Sequence, residues 1–203
     1  MKPVFSVILI DASTSMERNF QNAPQQALEA FVHSQASGPD ADDTFVGIFS
    51  FASDLKMLTA KPLVPVKEIT DIPYVSDGVT RLYGSVLEVL NLLENLTRHE
   101  TEARVLLHVF TDGADNMSHE KLPALRQAAG AARAKGWTLK IVGFGIQGDA
   151  LAREMNFSAT EAITVPADAQ SIIRTARHAS YVTTMTSRGI TPMSYDEYAR
   201  NDH

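Results

Sequence analysis

An α/β fold is predicted by three observations on the 203-residue chain. Apolar strand-length runs alternate with segments of helical period, which calls for a mainly parallel sheet covered on both faces. The connections are long enough for crossover helices. Residues bearing hydroxyls and carboxylates fall just where the first and fourth strands end.

Each element has its own warrant. Residues 4–10 (Val-Phe-Ser-Val-Ile-Leu-Ile) suit a buried strand and are too short for a ten-residue helix. Asp11 to Ser15 form an oxygen-rich turn, and residues 23–37 place Ala27, Leu28, Ala30, Phe31 and Val32 at helical spacing, with Pro24 tolerated in a first turn. Residues 44–51 are β-branched and aromatic, as a buried strand requires. A turn at 52–54 then leads into a short antiparallel edge strand at 56–60, with Lys56 and Lys61 suited to an edge.

Pro62, Pro65 and Pro73 mark residues 62–78 as a long loop with one helical turn at most. Residues 82–96 form a strongly amphipathic helix, and 105–110 a central strand ending at Thr111-Asp112-Gly113. A helix over 120–135 closes at Gly136, and a strand over 138–143 follows. The unit repeats with a helix at 150–155, a strand at 162–165 and a last helix over 168–184, with Asp168 as N-cap. Right-handed crossovers leave few topologies, and a Rossmann-like, doubly wound six-stranded sheet of order 3-2-1-4-5-6, strand 3 antiparallel, is the expectation. In that order the first and fourth strands are neighbours at the switch point, so Asp11 and Asp112 share one rim.

Composition narrows the function. Apolar content of 44% and charged content of 21% are those of an ordinary globular domain. Net charge is -6 and the basic residues are scattered, which argues against a nucleic-acid partner. No run approaches the roughly 20 apolar residues of a membrane helix, and no cleavage pattern follows the first apolar run, so neither membrane insertion nor secretion is expected. The absence of cysteine excludes disulfides and thiolate metal sites and fits the cytoplasm.

Asp11, Ser13 and Ser15 can point three hard oxygens at one centre, the ligand type Mg²⁺ prefers. Together with Asp77-Gly78-Val79-Thr80-Arg81-Leu82 and Thr111-Asp112-Gly113, this pattern resembles the metal-ion-dependent adhesion site of von Willebrand factor type A domains, over roughly residues 4 to 185. The division expected is a domain over 1–186 and a polar tail over 187–203. The resemblance implies that Ser13 and Ser15 coordinate Mg²⁺ directly, with Asp11, Thr80 and Asp112 bound directly or through water. A partner's carboxylate would complete the shell, and Mn²⁺ and Ca²⁺ are alternative cations. It further implies a stand-alone intracellular bacterial protein, a non-enzymatic adaptor or scaffold. Partners known for such members are AAA-type ATPases of the MoxR kind, metal-chelatase subunits, and kinase, phosphatase or tellurite-resistance-type systems. Thr14 departs from the family pattern, where Gly is frequent.

Blander readings stand beside each piece. Asp-x-Ser-x-Ser at a strand end also serves as a helix N-cap turn, and Thr80 as a cap for the helix at Leu82. Asp115 and Asn116 read as turn residues, and Asp54 and Asp77 as solvated charges. Gly143 to Gly148 matches the dinucleotide glycine pattern with Asp168 downstream, but it lies after the fifth strand, and a tight strand exit explains it better. A Mg²⁺-dependent phosphohydrolase using Asp11 is the alternative function, although the second aspartate such enzymes carry two residues on is here Ser13. The six histidines, His33, His99, His108, His119, His178 and His203, form no pair at metal-ligand spacing. In the tail, Tyr195, Asp196, Glu197 and Tyr198 could dock on a partner or on another copy's metal site.

Overall fold

Every residue of β1 (Val4–Asp11) is buried, because this strand lies in the middle of the sheet with helices on both of its faces. In the computed structural model, which describes residues 2–100 and 102–201, β1 pairs in parallel with β2 (Thr44–Phe51) on one side and β5 (Arg104–Thr111) on the other. His203 and Asp202 of the tail lie outside the described residues. The sheet continues from β5 through β6 (Thr138–Phe144) to β7 (Ala162–Val165), and from β2 to the antiparallel edge strand β3 (Leu55–Met57). The order 3-2-1-5-6-7 is the expected one, renumbered by a strand the sequence reading lacked. This β4 (Val64–Pro65) pairs antiparallel with the start of β2, and a 3-10 turn follows at Val66–Glu68. Residues 62–78 are therefore not wholly loop, and a proline is accommodated because β4 pairs on one side only.

Alternation along β1 divides the core. Phe5, Val7 and Leu9 face α3 (Leu82–Leu96) and α4 (Leu122–Ala134), while Ile8 and Ile10 face α2 (Ala23–Ala36) and α6 (Ala169–Ser187). Ser6 shares the second face and is satisfied by Thr183 Oγ1 of α6 at 2.9 Å. Two helices were not expected, α7 (Tyr195–Asn201) in the polar tail and α1 (Thr14–Phe20), which follows the oxygen-rich turn at once and buries Met16 and Phe20, one turn apart. The first residues of α1 are themselves the motif, so a reading of Ser13 to Ser15 as a turn hid its start.

After β6 the chain turns through Gly145, which has φ +71°, into α5 (Gly148–Glu154). A Cβ on Gly148 would lie 2.3 Å from the Ile163 carbonyl oxygen, and one on Gly143 2.6 Å from that of Ile146. These glycines let backbone pack on backbone at the strand exit. Asp168 caps α6, its side chain accepting from the Ser171 amide at 2.8 Å. Beyond α6, Ser194 and Glu197 form a capping box at the start of α7 (Tyr195–Asn201). Tyr195, Tyr181 and Tyr198 surround the His178 ring, with centroids 5.5, 6.1 and 5.1 Å from it. Among the described residues no helix is long and apolar enough to cross a membrane.

Candidate metal centre

Three loops meet where β1 and β5 end, and backbone hydrogen bonds lace them together. The Thr14 amide and hydroxyl both donate to the Gly78 carbonyl at 3.1 Å, and the Asp77 amide donates to the Ala12 carbonyl at 2.7 Å. Gly78 has φ +87°, and a Cβ there would meet Ser53 Oγ at 2.5 Å, so only glycine brings this loop so close. The Thr80 and Asn116 segments are joined twice: the Asn116 amide donates to the Thr80 carbonyl at 3.0 Å, and the Thr80 amide donates to Asn116 Oδ1 at 3.1 Å. The rim is therefore assembled from three stretches remote in sequence.

On it, Ser13 Oγ and Ser15 Oγ lie 3.1 Å apart, and Ser15 Oγ donates to Asp112 Oδ1 at 2.7 Å. Asn19 Nδ2, one helical turn beyond Ser15 on α1, donates to Asp112 Oδ2 at 2.8 Å. Thr80 is buried with its hydroxyl turned toward Gly113, where a Cβ would lie 3.5 Å from Thr80 Oγ1. Adjacent oxygens around an octahedral Mg²⁺ sit about 3 Å apart when each is about 2.1 Å from the ion. The Ser13, Ser15 and Asp112 spacings match such edges, and the donors are the hard oxygens that Mg²⁺ takes. Among the described residues no group of three or more His, Cys, Asp or Glu is placed to hold a metal. Any cation here relies on hydroxyls.

Asp11, the fifth residue of the expected set, is held more deeply than Ser13, Ser15, Thr80 and Asp112. It is fully buried, with Oδ1 accepting from the Ser13 amide at 2.8 Å and Oδ2 from Thr111 Oγ1 at 2.7 Å. Its carboxylate thus fixes the turn that aims Ser13 and ties the end of β1 to that of β5. Burial raises its pKa to about 6, against the pull of the Thr111 and Ser13 hydrogen bonds and with a further push from the Asp112 charge. Tyr74 Oη donates to the Asp11 carbonyl at 2.7 Å, and burial beside these carboxylates pushes the phenol pKa upward.

Thr80 does not cap α3. The free amides of that helix are satisfied from the 115–118 turn: Asp115 Oδ1 accepts from the Tyr83 amide at 3.1 Å and Ser118 Oγ from the Gly84 amide at 2.9 Å. Asp115 and Asn116 are thus turn residues that also hold α3 and Thr80. Arg81 pairs with Glu88 at 2.6 Å, and Tyr83 is buried, with its ring 5.8 Å from that of His119. The supporting roles of Asn19, Thr111 and Tyr74 were not read from the sequence. Asn19 was findable as the residue four beyond Ser15 on a helix.

Replacing Asn19 by alanine should free Asp112 to rotate and weaken any Mg²⁺ binding about tenfold, the low end of the range for groups that orient a ligand. Calorimetric Mg²⁺ titration checks this, and an unchanged affinity would show that Ser15 alone orients Asp112.

The family model for the von Willebrand factor type A domain matches residues 7–187. The chain belongs to that family. Solved structures with this VWA fold include the pilus adhesin SpaC from Lactobacillus rhamnosus GG in its open conformation. At 13% identity and TM-score 0.70, the match covers 92% of this chain and 30% of SpaC. Proximal thread matrix protein 1 from the mussel byssus, solved with a zinc-occupied metal-ion-dependent adhesion site, matches at 15% identity and TM-score 0.59, over 88% of this chain and 45% of that one. The SpRpn10 VWA domain matches at 13% identity and TM-score 0.57, over 85% and 95%. This VWA chain thus spans about half the length of the mussel protein, and at these identities the likeness is one of fold. No curated protein matches. Domains of the family are commonly protein-interaction modules, and they can bind a metal at the adhesion site.

Proposed function

We propose that the chain is a divalent-cation-dependent protein-interaction module, an adaptor or scaffold, in which Ser13, Ser15, Thr80 and Asp112 hold Mg²⁺ and a partner's carboxylate completes the shell. The observation that carries this reading is the run Ser13 Oγ, Ser15 Oγ, Asp112 Oδ1, with separations of 3.1 and 2.7 Å that match the edges of a hard-cation octahedron. When bound, Mg²⁺ would supply an electrophilic position that exchanges water for an anionic oxygen. Asp11 and Asn19 act on the ligands, the first by holding the Ser13 turn and the second by holding Asp112. With Asp112 as the one charged donor among those four, much of the cation's charge is left for the incoming carboxylate. Mn²⁺ and Ca²⁺ would compete for the same donors, and Ca²⁺ would favour more oxygens than these residues offer. A cysteine-free chain fits a reducing compartment, and we assign the module to the cytoplasm.

The burial of Asp11 weighs against a phosphohydrolase, since both oxygens of the supposed nucleophile are already engaged by Ser13 and Thr111. Titration of the purified protein with Mg²⁺, with and without acetate, tests the reading: acetate should tighten Mg²⁺ binding. A folded protein that takes up no Mg²⁺ would overturn it. Mg²⁺-dependent hydrolysis of a simple phosphoester, lost in Asp11→Asn, would favour the enzyme instead.

A further inference from the structure

Large apolar side chains at the surface are ordinary when scattered and informative when gathered. Of the seven exposed ones among the described residues, Val75, Val79 and Met117 lie on the loops that build the metal centre, at 64%, 43% and 52% exposure. The other four are dispersed: Met57 on edge strand β3, Leu96 at the end of α3 away from the site, and Ile190 and Met193 before α7. Val79 immediately precedes Thr80, and Met117 immediately follows Asn116, so the double hydrogen bond between Thr80 and Asn116 sets these two segments side by side. Val75 lies between Tyr74, whose phenol is bound to the Asp11 carbonyl, and Ser76, whose hydroxyl donates to that phenol at 3.1 Å. Two well-fixed loops, residues 69–81 and 112–118, thus hold apolar side chains out to water around an oxygen-lined centre.

Charge limits what can cover them. Glu17 on α1 and Asp77 beside Gly78 are exposed on the same rim; of the basic residues near it, Arg18 is exposed on α1 three residues beyond Ser15, and Arg81 is occupied by Glu88. A run of acidic residues would meet those carboxylates, so one carboxylate is favoured at the centre and uncharged, apolar neighbours around it.

Resting on the metal-bridge reading, we propose that the segment recognised here carries a single carboxylate flanked by large apolar side chains, which cover Val75, Val79 and Met117. The chain's own tail is poorly placed for this role: Tyr195 and Tyr198 pack on His178, and Glu197 is held by Ser194. Covering about 60 Å² of apolar surface is worth about a factor of ten in affinity, and three half-exposed side chains offer that much.

The test uses two capped nonapeptides, identical except that one central aspartate is flanked by leucines in the first and by serines in the second. Their binding is followed by fluorescence anisotropy in Mg²⁺ and in EDTA. The Mg²⁺-loaded protein should bind the leucine peptide about tenfold more tightly, and EDTA should abolish binding of both. In the triple variant Val75→Ser, Val79→Ser, Met117→Ser the preference should vanish while calorimetric Mg²⁺ affinity stays unchanged. Equal binding of the two peptides, or of neither by a protein that does take up Mg²⁺, overturns the apolar rim. Absence of Mg²⁺ uptake itself instead overturns the metal bridge on which the rim depends. A leucine preference that survives EDTA would show apolar capture unconnected with the metal and overturn the proposal. So would a Mg²⁺-dependent doubling of mass in light scattering that the leucine peptide does not reverse, since the occupant would then be a second copy.

Discussion

Asp112→Ala is expected to lower Mg²⁺ affinity by about 100-fold or more, close to 3 kcal/mol, while leaving metal-free stability within about 1 kcal/mol of wild type. The two effects separate because of where the carboxylate sits. Its partners Ser15 and Asn19 lie on the partly exposed rim, so water can replace it for both. Its charge also opposes ionisation of the buried Asp11, and removing it relieves that repulsion. Thermal melts in EDTA should therefore nearly coincide. In Mg²⁺ at about 100 times the dissociation constant, the wild type should gain about 2.7 kcal/mol and the variant almost nothing. A variant that binds Mg²⁺ within threefold of wild type would remove Asp112 from the site.

Which parts of this centre could be read from sequence follows from the kind of interaction each depends on. β2, β7 and α3 occupy the residues that their apolar patterns mark, because burial on a sheet face or helix stripe writes its period directly into the chain. The neighbouring of β1 and β5 was legible too, since crossover handedness leaves little choice once strands and helices alternate. β4 was not, because two residues carry no period and their pairing is decided by β2. Nor was the inward turn of Asp11: spacing says that a carboxylate stands at the strand end, but not that Thr111 and the Ser13 amide claim its oxygens. The same holds for α3, whose amides are satisfied by Asp115 and Ser118 from a turn more than thirty residues on, a partnership that no local cap signal records.

The second large effect lies away from the rim and concerns acid stability. His108 sits mid-strand in β5, in register with Ile8 and Lys140, and is 1% exposed with no hydrogen-bond partner at Nε2. Burial, reinforced by the charges of Lys140 and His178, lowers its pKa from 6.5 to about 3. The folded protein therefore keeps His108 neutral while the unfolded chain takes up a proton below about pH 6.5. With more protons bound in the unfolded state, stability must fall as pH drops through the window from about 6.5 to about 3. At pH 5 the loss from this residue is about 2 kcal/mol, 1.5 pH units below the unfolded value. His108→Leu removes the titration at comparable volume and eliminates an unpaired buried nitrogen. Urea unfolding of both proteins at pH 7.5 and pH 5 should show the variant's advantage growing by about 2 kcal/mol at the lower pH, since every other titrating group is common to both and largely cancels. An advantage independent of pH would mean that the folded protein protonates His108 as readily as the unfolded chain does. Any Mg²⁺ affinity should be unchanged, because the histidine acts through the packing between sheet and α6 while the candidate metal centre hangs on the loops at the strand ends.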